Sequence, residues 1–277
     1  MTTVALRAGL QRGRIETRQG LTNATELWNA LFFPVIGFVV MFFLRGNTVP
    51  GTDFSLGTQA VPGILSLSVV FTGMIGLGGT LITDREDGGL LRAKAIPQGV
   101  LGYLTGRVVS RAALAVLGVL VPLAVAAFLF PGLSVHVLTL VWVLVVGLVA
   151  VLPLGAVIGS LFRNVQALGL ITLLNMALLA ISGVFYPVTA LPSWMQWVAQ
   201  VFPVYWLGLG LRSALLPDGL AAVEIGASWR HLETVGVLGA WAVVGFLLAP
   251  VVLRRMALRE SGSTVAAARE KAMQRTM

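Results

Sequence analysis

Residues 137–162 read VLTLVWVLVVGLVAVLPLGAVIGSLF, a run without one charged side chain. A helix needs about 20 apolar residues to cross the roughly 30 Å hydrocarbon core of a bilayer. The run does not alternate apolar with polar residues, as the strand of an outer-membrane barrel would. Five further stretches share this character, at 27–44, 60–83, 112–130, 165–188 and 235–253. The expectation is an all-α polytopic membrane protein with six transmembrane helices. Composition agrees, since the 277 residues are 57% apolar and only 11% charged, against roughly 25% charge in soluble domains.

The net charge of +8 does not point to nucleic acid, because the basic residues flank the apolar runs and surround no aromatic platform. With a cytoplasmic N-terminus, all of the 19 basic residues except Arg45, Arg212 and Arg230 fall on one side of the membrane. The positive-inside rule then puts both termini in the cytoplasm, in a multi-pass protein of a bacterial cytoplasmic membrane. Three regions follow: a cytoplasmic segment at 1–26, a membrane domain at 27–254 and a basic cytoplasmic tail at 255–277. In the first, Arg7, Arg14 and Arg18 are spaced to share a helical face, with Arg12 between them. That pattern reads as an interfacial helix on anionic lipid or as a basic tail obeying the same charge rule; the helix is the expectation carried forward.

Several chemistries are missing. No Asp, Glu, Lys, Arg or His lies near the middle of any apolar run, with Arg111, His136 and Arg163 all at ends. That counts against an ion-coupled secondary exporter, which keeps an ionisable relay at depth. There is no cysteine, and the two histidines, His136 and His231, form no H-E-x-x-H pattern, so no metal site is expected. No G-x-S-x-G elbow and no G-x-x-x-x-G-K-[ST] loop occurs, so neither a serine hydrolase nor a nucleotide site is expected. Polar residues at depth are mild ones, including Ser68, Thr72, Thr80, Thr172, Asn175 and Ser182. They suit helix–helix hydrogen bonds or a pathway for amphipathic cargo. Gly155 and Gly159 have the spacing of a close helix crossing, although a chain with 32 glycines produces such spacings by chance.

Two segments stand apart from the spans. TDREDGGLLRAKAIP, residues 83–97, concentrates six charges. Acidic Asp84, Glu86 and Asp87 precede basic Arg92 and Lys94, the order a helix dipole favours, with Asp84 available as N-cap and Pro97 as stop. Gly88 and Gly89 weaken such a helix by about 1 kcal/mol each. Leu90 and Leu91 beside charge read as an exposed docking surface for a soluble partner. The second segment, FYPVTALPSWMQWVAQVFPVYW, is cut by Pro187, Pro192 and Pro203 and carries Trp194, Trp197, Tyr205 and Trp206. It reads as a short re-entrant or interfacial helical hairpin.

On these residues the chain resembles the membrane permeases of ABC-2-type exporters, in particular their daunorubicin-resistance and multidrug branch. The family's loop after span two typically reads E-R-E-x-G-T-L-E-R-L-L-A-T-P. Here Arg85, Glu86, Gly88, Leu90, Arg92, Ala95 and Pro97 match it, while Gly89, Leu91, Ala93, Lys94 and Ile96 depart. Gly183, Pro187, Leu191, Pro192, Pro203 and Arg212 are similarly placed to the family's outer region. The resemblance implies a dimer of identical or homologous permeases on two ATPase subunits, which would bind ATP and Mg while this chain binds no cofactor. It implies that residues 84–92, namely Asp84, Arg85, Glu86, Asp87, Gly88, Leu90, Leu91 and Arg92, form the coupling helix. It implies export, and because the candidate pathway residues lack charge the expected cargo is hydrophobic or amphipathic, such as a drug, secondary metabolite or lipid. A membrane scaffold that does not transport is the alternative.

Overall fold

The computed structural model describes residues 2–49, 52–162, 166–184 and 186–259. Among them the secondary structure is helical, apart from one isolated bridge between Thr48 and Ser55. The helices are α1 (Thr2–Thr22), α2 (Ala24–Phe43), α3 (Leu56–Glu86), α4 (Gly89–Lys94), α5 (Gly99–Leu129), α6 (Val137–Leu161), α7 (Gln166–Ile181), α8 (Ser193–Val201), α9 (Pro203–Leu215) and α10 (His231–Arg259).

Four of these, α3, α5, α6 and α10, are long and apolar enough to cross a membrane. Two shorter apolar stretches, Pro34–Phe43 in α2 and Leu168–Ile181 in α7, fall in the other expected spans. The fifth expected span is shorter than its apolar run, because the chain turns at Ser182 and Gly183, where Gly183 has φ +66°. At 16 residues α7 extends only ~24 Å. The last helix runs on to Arg259, past the expected boundary at 254, and the rest of the basic tail, with Arg163 in the α6–α7 connection, lies outside the described residues.

Local chemistry sets the helix boundaries. Asn23 separates α1 from α2 with extended backbone, and its side chain accepts from the N–H groups of Thr25 and Glu26 at 2.9 and 3.4 Å. That satisfies two orphan donors of the new helix, and Glu26 in its first turn suits the dipole. Pro203 starts α9, where its missing N–H removes no helical bond.

Helix α3 is the axis of the bundle. Every residue from Gly57 to Val70 is buried, against α2, α5, α6 and α9. At Val70–Ile75 it passes through a π turn. The crossing with α6 runs through the two glycines whose spacing chance alone would explain. A Cβ on Gly155 would stand 2.5 Å from Met74 O, and one on Gly159 2.7 Å from Gly78 O. The contact is backbone against backbone, so a side chain cannot move aside to make room.

The expected hairpin is two short helices, α8 and α9. Trp194 and Trp197 are exposed on α8, whereas Tyr205 and Trp206 are buried in an outer cluster with Leu209, Trp229 and Leu238. Every residue of α9 is buried, so the two aromatic pairs serve different surroundings. Within α9, Arg212 forms an ion pair with Glu224 in which both side chains are about 2% exposed or less; Nε lies 2.7 Å from Oε1, and Nη1 donates to Gly183 O at 3.0 Å. One guanidinium thereby ties α9, the end of α7 and the loop before α10.

Gly155→Ala and Gly159→Ala will each lower stability by about 1–3 kcal/mol. Gly169→Ala, with nothing within 4 Å, will leave it unchanged or slightly raised. Glu224→Ala strands a buried guanidinium and will destabilise by about 3–5 kcal/mol. Thermal unfolding of the detergent-purified variants checks all four.

Candidate functional site

The charged segment at 83–97 is divided. Helix α3 continues to Glu86, and Asp87 and Gly88 close it, with their N–H groups donating to Thr83 O and Arg85 O at 2.9 and 3.3 Å. Gly88 takes φ +74°, a left-handed conformation that glycine adopts without a Cβ penalty. The six-residue α4 follows, and Gln98, also left-handed at φ 56°, turns the chain into α5. The two glycines therefore separate two helices instead of weakening one.

This division reassigns several residues. Asp84 lies in the last turn of α3 and does not cap α4. Its carboxylate accepts from Tyr103 OH at 2.5 Å and from Arg107 Nη2 at 2.8 Å, both on α5. Arg85 is buried, and its Nη1 donates to Ser160 O and Phe162 O at 3.3 and 3.1 Å, where a cation complements the C-terminal dipole of α6. Lys94 donates to Ala257 O of α10. Leu90, expected exposed, is buried in the main core, because a short helix lying on α5 turns Leu90 and Ala93 inward together. Leu91 and Glu86 are half-buried, while Asp87, Arg92 and the stretch Ala95–Gln98 are exposed. Ile96, which departs from the family's pattern, is an exposed apolar side chain within this stretch.

Helix α1 completes the same end. It lies along the first half of α5 with glycines on both sides: a Cβ on Gly9 would meet Gly102 O at 2.8 Å, and one on Gly13 would meet Gly106 O at 3.1 Å. Arg7, Arg14 and Arg18 are exposed, flanked by exposed Val4, Leu6, Leu10 and Ile15. Arg12 turns toward α5. Its guanidinium is 5.0 Å from the Tyr103 ring centroid and its Nε 2.7 Å from Glu16 Oε1. Glu16 Oε2 is 3.3 Å from Arg107, so a chain of charge runs Arg12, Glu16, Arg107, Asp84 across α1, α5 and α3.

Beside this junction an open cavity of about 670 Å³ is lined by α1, α2, α3, α5 and α7. At its polar end Glu26 and Arg111 pair through two contacts of 2.9 and 3.1 Å, and Arg111 also donates to Thr80 Oγ1 at 2.6 Å. The sequence reading put Arg111 at the end of a span; α5 starts at Gly99, so Arg111 sits well inside a 31-residue helix. Its partner Glu26 precedes another apolar run, and only the packing of α2 on α5 brings the two together.

Of the expected pathway residues, Thr72 lines the cavity, with Thr172 of α7. Ser68, one turn along α3, is buried, and its hydroxyl has no hydrogen-bond partner among the described residues. Asn175 and Ser182 are not brought there; they bond back to Ile171 O and Leu178 O of their own helix. Pro187, Pro192 and Pro203 each stand at the start of a helical turn in the outer region, away from this site. Among the described residues no group of His, Cys, Asp and Glu could hold a metal ion.

Among the described residues, a helical bundle with four membrane-length helices and a charged end defines a multi-pass membrane protein. Residues 14–216 match the ABC-2 type transporter family, and the chain belongs to that family, as the membrane component of an ABC transporter. No curated protein sequence matches the chain.

Asp84→Ala will lower stability by about 1.5–3 kcal/mol, the value of a hydrogen bond to a charged group. Combined with Arg107→Ala its effect will be less than additive, because the two side chains share one interaction. Chemical denaturation of the single and double variants measures the coupling.

Proposed function

We propose that this permease couples to a separate ATPase through the exposed tip Ala95–Gln98 together with Glu86, Asp87 and Arg92, and that it exports a hydrophobic or amphipathic cargo. One observation carries the reading. The segment 84–94 begins in α3 and is fastened to the end of α6, to α10 and to α5, so a push on the tip reaches four long helices at once. A solvated loop needs no such fastening. Contacts that differ between two states of a partner are the only means by which that partner can shift an equilibrium here.

Under this reading the charged end faces the cytoplasm of a bacterium, as do both termini, and Arg7, Arg14 and Arg18 of α1 rest against anionic lipid. Two copies of the ATPase bind ATP and Mg and drive a pair of permeases, identical or homologous. Leu90, Arg85 and Asp84 support the tip from within. Drugs, secondary metabolites and lipids have the required cargo chemistry.

Purification of the tagged protein from its native membranes in mild detergent will recover an ABC-type ATPase in equal amount; recovery of the permease alone would overturn the reading. In the recovered complex, Ile96→Asp and Glu86→Ala will weaken ATPase association by about tenfold or more, the loss expected at the anchor of an interface. Both variants will still insert and fold. Unchanged association in both would remove the tip from the interface.

A further inference from the structure

The cavity beside the junction has a defined size, a set of uncommitted hydroxyls and a balanced charge. We infer that it is the cargo-binding chamber and that its ligand is an electrically neutral, drug-sized amphipath carrying carbonyl or hydroxyl groups. The inference rests on the transport reading above and deepens it. At about 670 Å³ the cavity falls within the range of small-molecule sites, roughly 300–1,000 Å³. Its walls are apolar, with Leu27, Leu31, Phe71, Leu117, Val121 and Leu168 around the space.

The hydroxyls are distinctive. Thr80 bonds back to Gly76 O, as threonines in helices commonly do. Thr72 and Thr172 make no hydrogen bond among the described residues and line the same cavity. Thr72 lies in the π turn Val70–Ile75, and single π turns within α-helices recur at functional sites. One turn beyond, the buried Ser68 hydroxyl is also unpartnered. Gly118 leaves the space beside them open, since a Cβ there would be 3.9 Å from Ser68 Cβ and 4.0 Å from Thr72 Oγ1.

Charge selects the class. Glu26 is matched by Arg111, and Asp84 by Arg107; Glu16, at the smaller polar recess that shares Glu26, Arg107 and Arg111, is matched by Arg107 and Arg12. Among the described residues, no ionised group lining the cavity lacks its counterion. A charged ligand would have to break one of these half-buried pairs and leave an uncompensated charge, which is costly away from water. A neutral ligand keeps them all and meets hydroxyls that donate and accept.

The test uses the purified permease in nanodiscs, without any ATPase, and three dyes: neutral Nile red, cationic rhodamine 6G and anionic anilinonaphthalene sulfonate. Nile red will show a saturable component above its lipid partitioning, displaced by neither charged dye. Gly118→Leu fills the chamber and will reduce that component by about tenfold or more, while Thr72→Val with Thr172→Val keeps the shape, removes two donors and will weaken it by about three- to tenfold. No saturable Nile red binding, equal displacement by a charged dye, or wild-type affinity in the double valine variant would each overturn the inference. The valine pair decides the matter if Gly118→Leu does not fold. Because no ATPase is present, this result stands or falls separately from coupling at the tip.

Discussion

The carboxylate of Asp84 holds the charged end of the molecule together. It stands on the last turn of α3 and accepts from Tyr103 and Arg107, both in the opening turns of α5. The chain between these helices reverses direction through two left-handed residues, Gly88 and Gln98, and a six-residue helix. Such a helix has little stability of its own, because nucleating the first turn is unfavourable and six residues cannot recover it. It exists because both its ends are fixed and because Leu90 and Ala93 are buried beneath it.

Cations extend the same arrangement. Arg85 donates to the last carbonyls of α6 and Lys94 to Ala257 O of α10, so both helices converge on one segment. Arg107 passes the network on to Glu16 of α1. Glycines at 9, 13, 102 and 106 allow α1 and α5 to approach closely enough for that contact. The outer end is fastened by a second buried guanidinium, Arg212 with Glu224, while the middle relies on backbone contact between α3 and α6 at Gly155 and Gly159. Beside the charged junction, α2 and α7 line the cavity together with α1, α3 and α5.

Much of the fold was legible in the order of residues. Apolar runs too long for a soluble core and too continuous for strands specify membrane helices, and their positions agree with the helices found. The proline-cut outer segment was legible too, since Pro192 and Pro203 both stand where a short helix starts, the position at which a missing N–H costs no helical bond. Less was legible of the site. Leu90 and Leu91 look alike in sequence, yet one is buried and the other half-exposed, because a rotation of 100° per residue turns one toward α5. Thr72 and Asn175 were equal candidates by polarity and depth, and only the π turn and the placement of α7 put Thr72 at the cavity.

The sequence by itself determined the class of protein, the place of its apolar helices and the segment in which charge is concentrated. Those follow from composition and periodicity, which act within one element and need no partner. Only the tertiary structure decided which charges are tethers and which are exposed, which glycines are crossings, and that Glu26 and Arg111 form one pair. A carboxylate in sequence carries no record of which distant cation will neutralise it. That choice is made when helices 85 residues apart in the chain pack side by side.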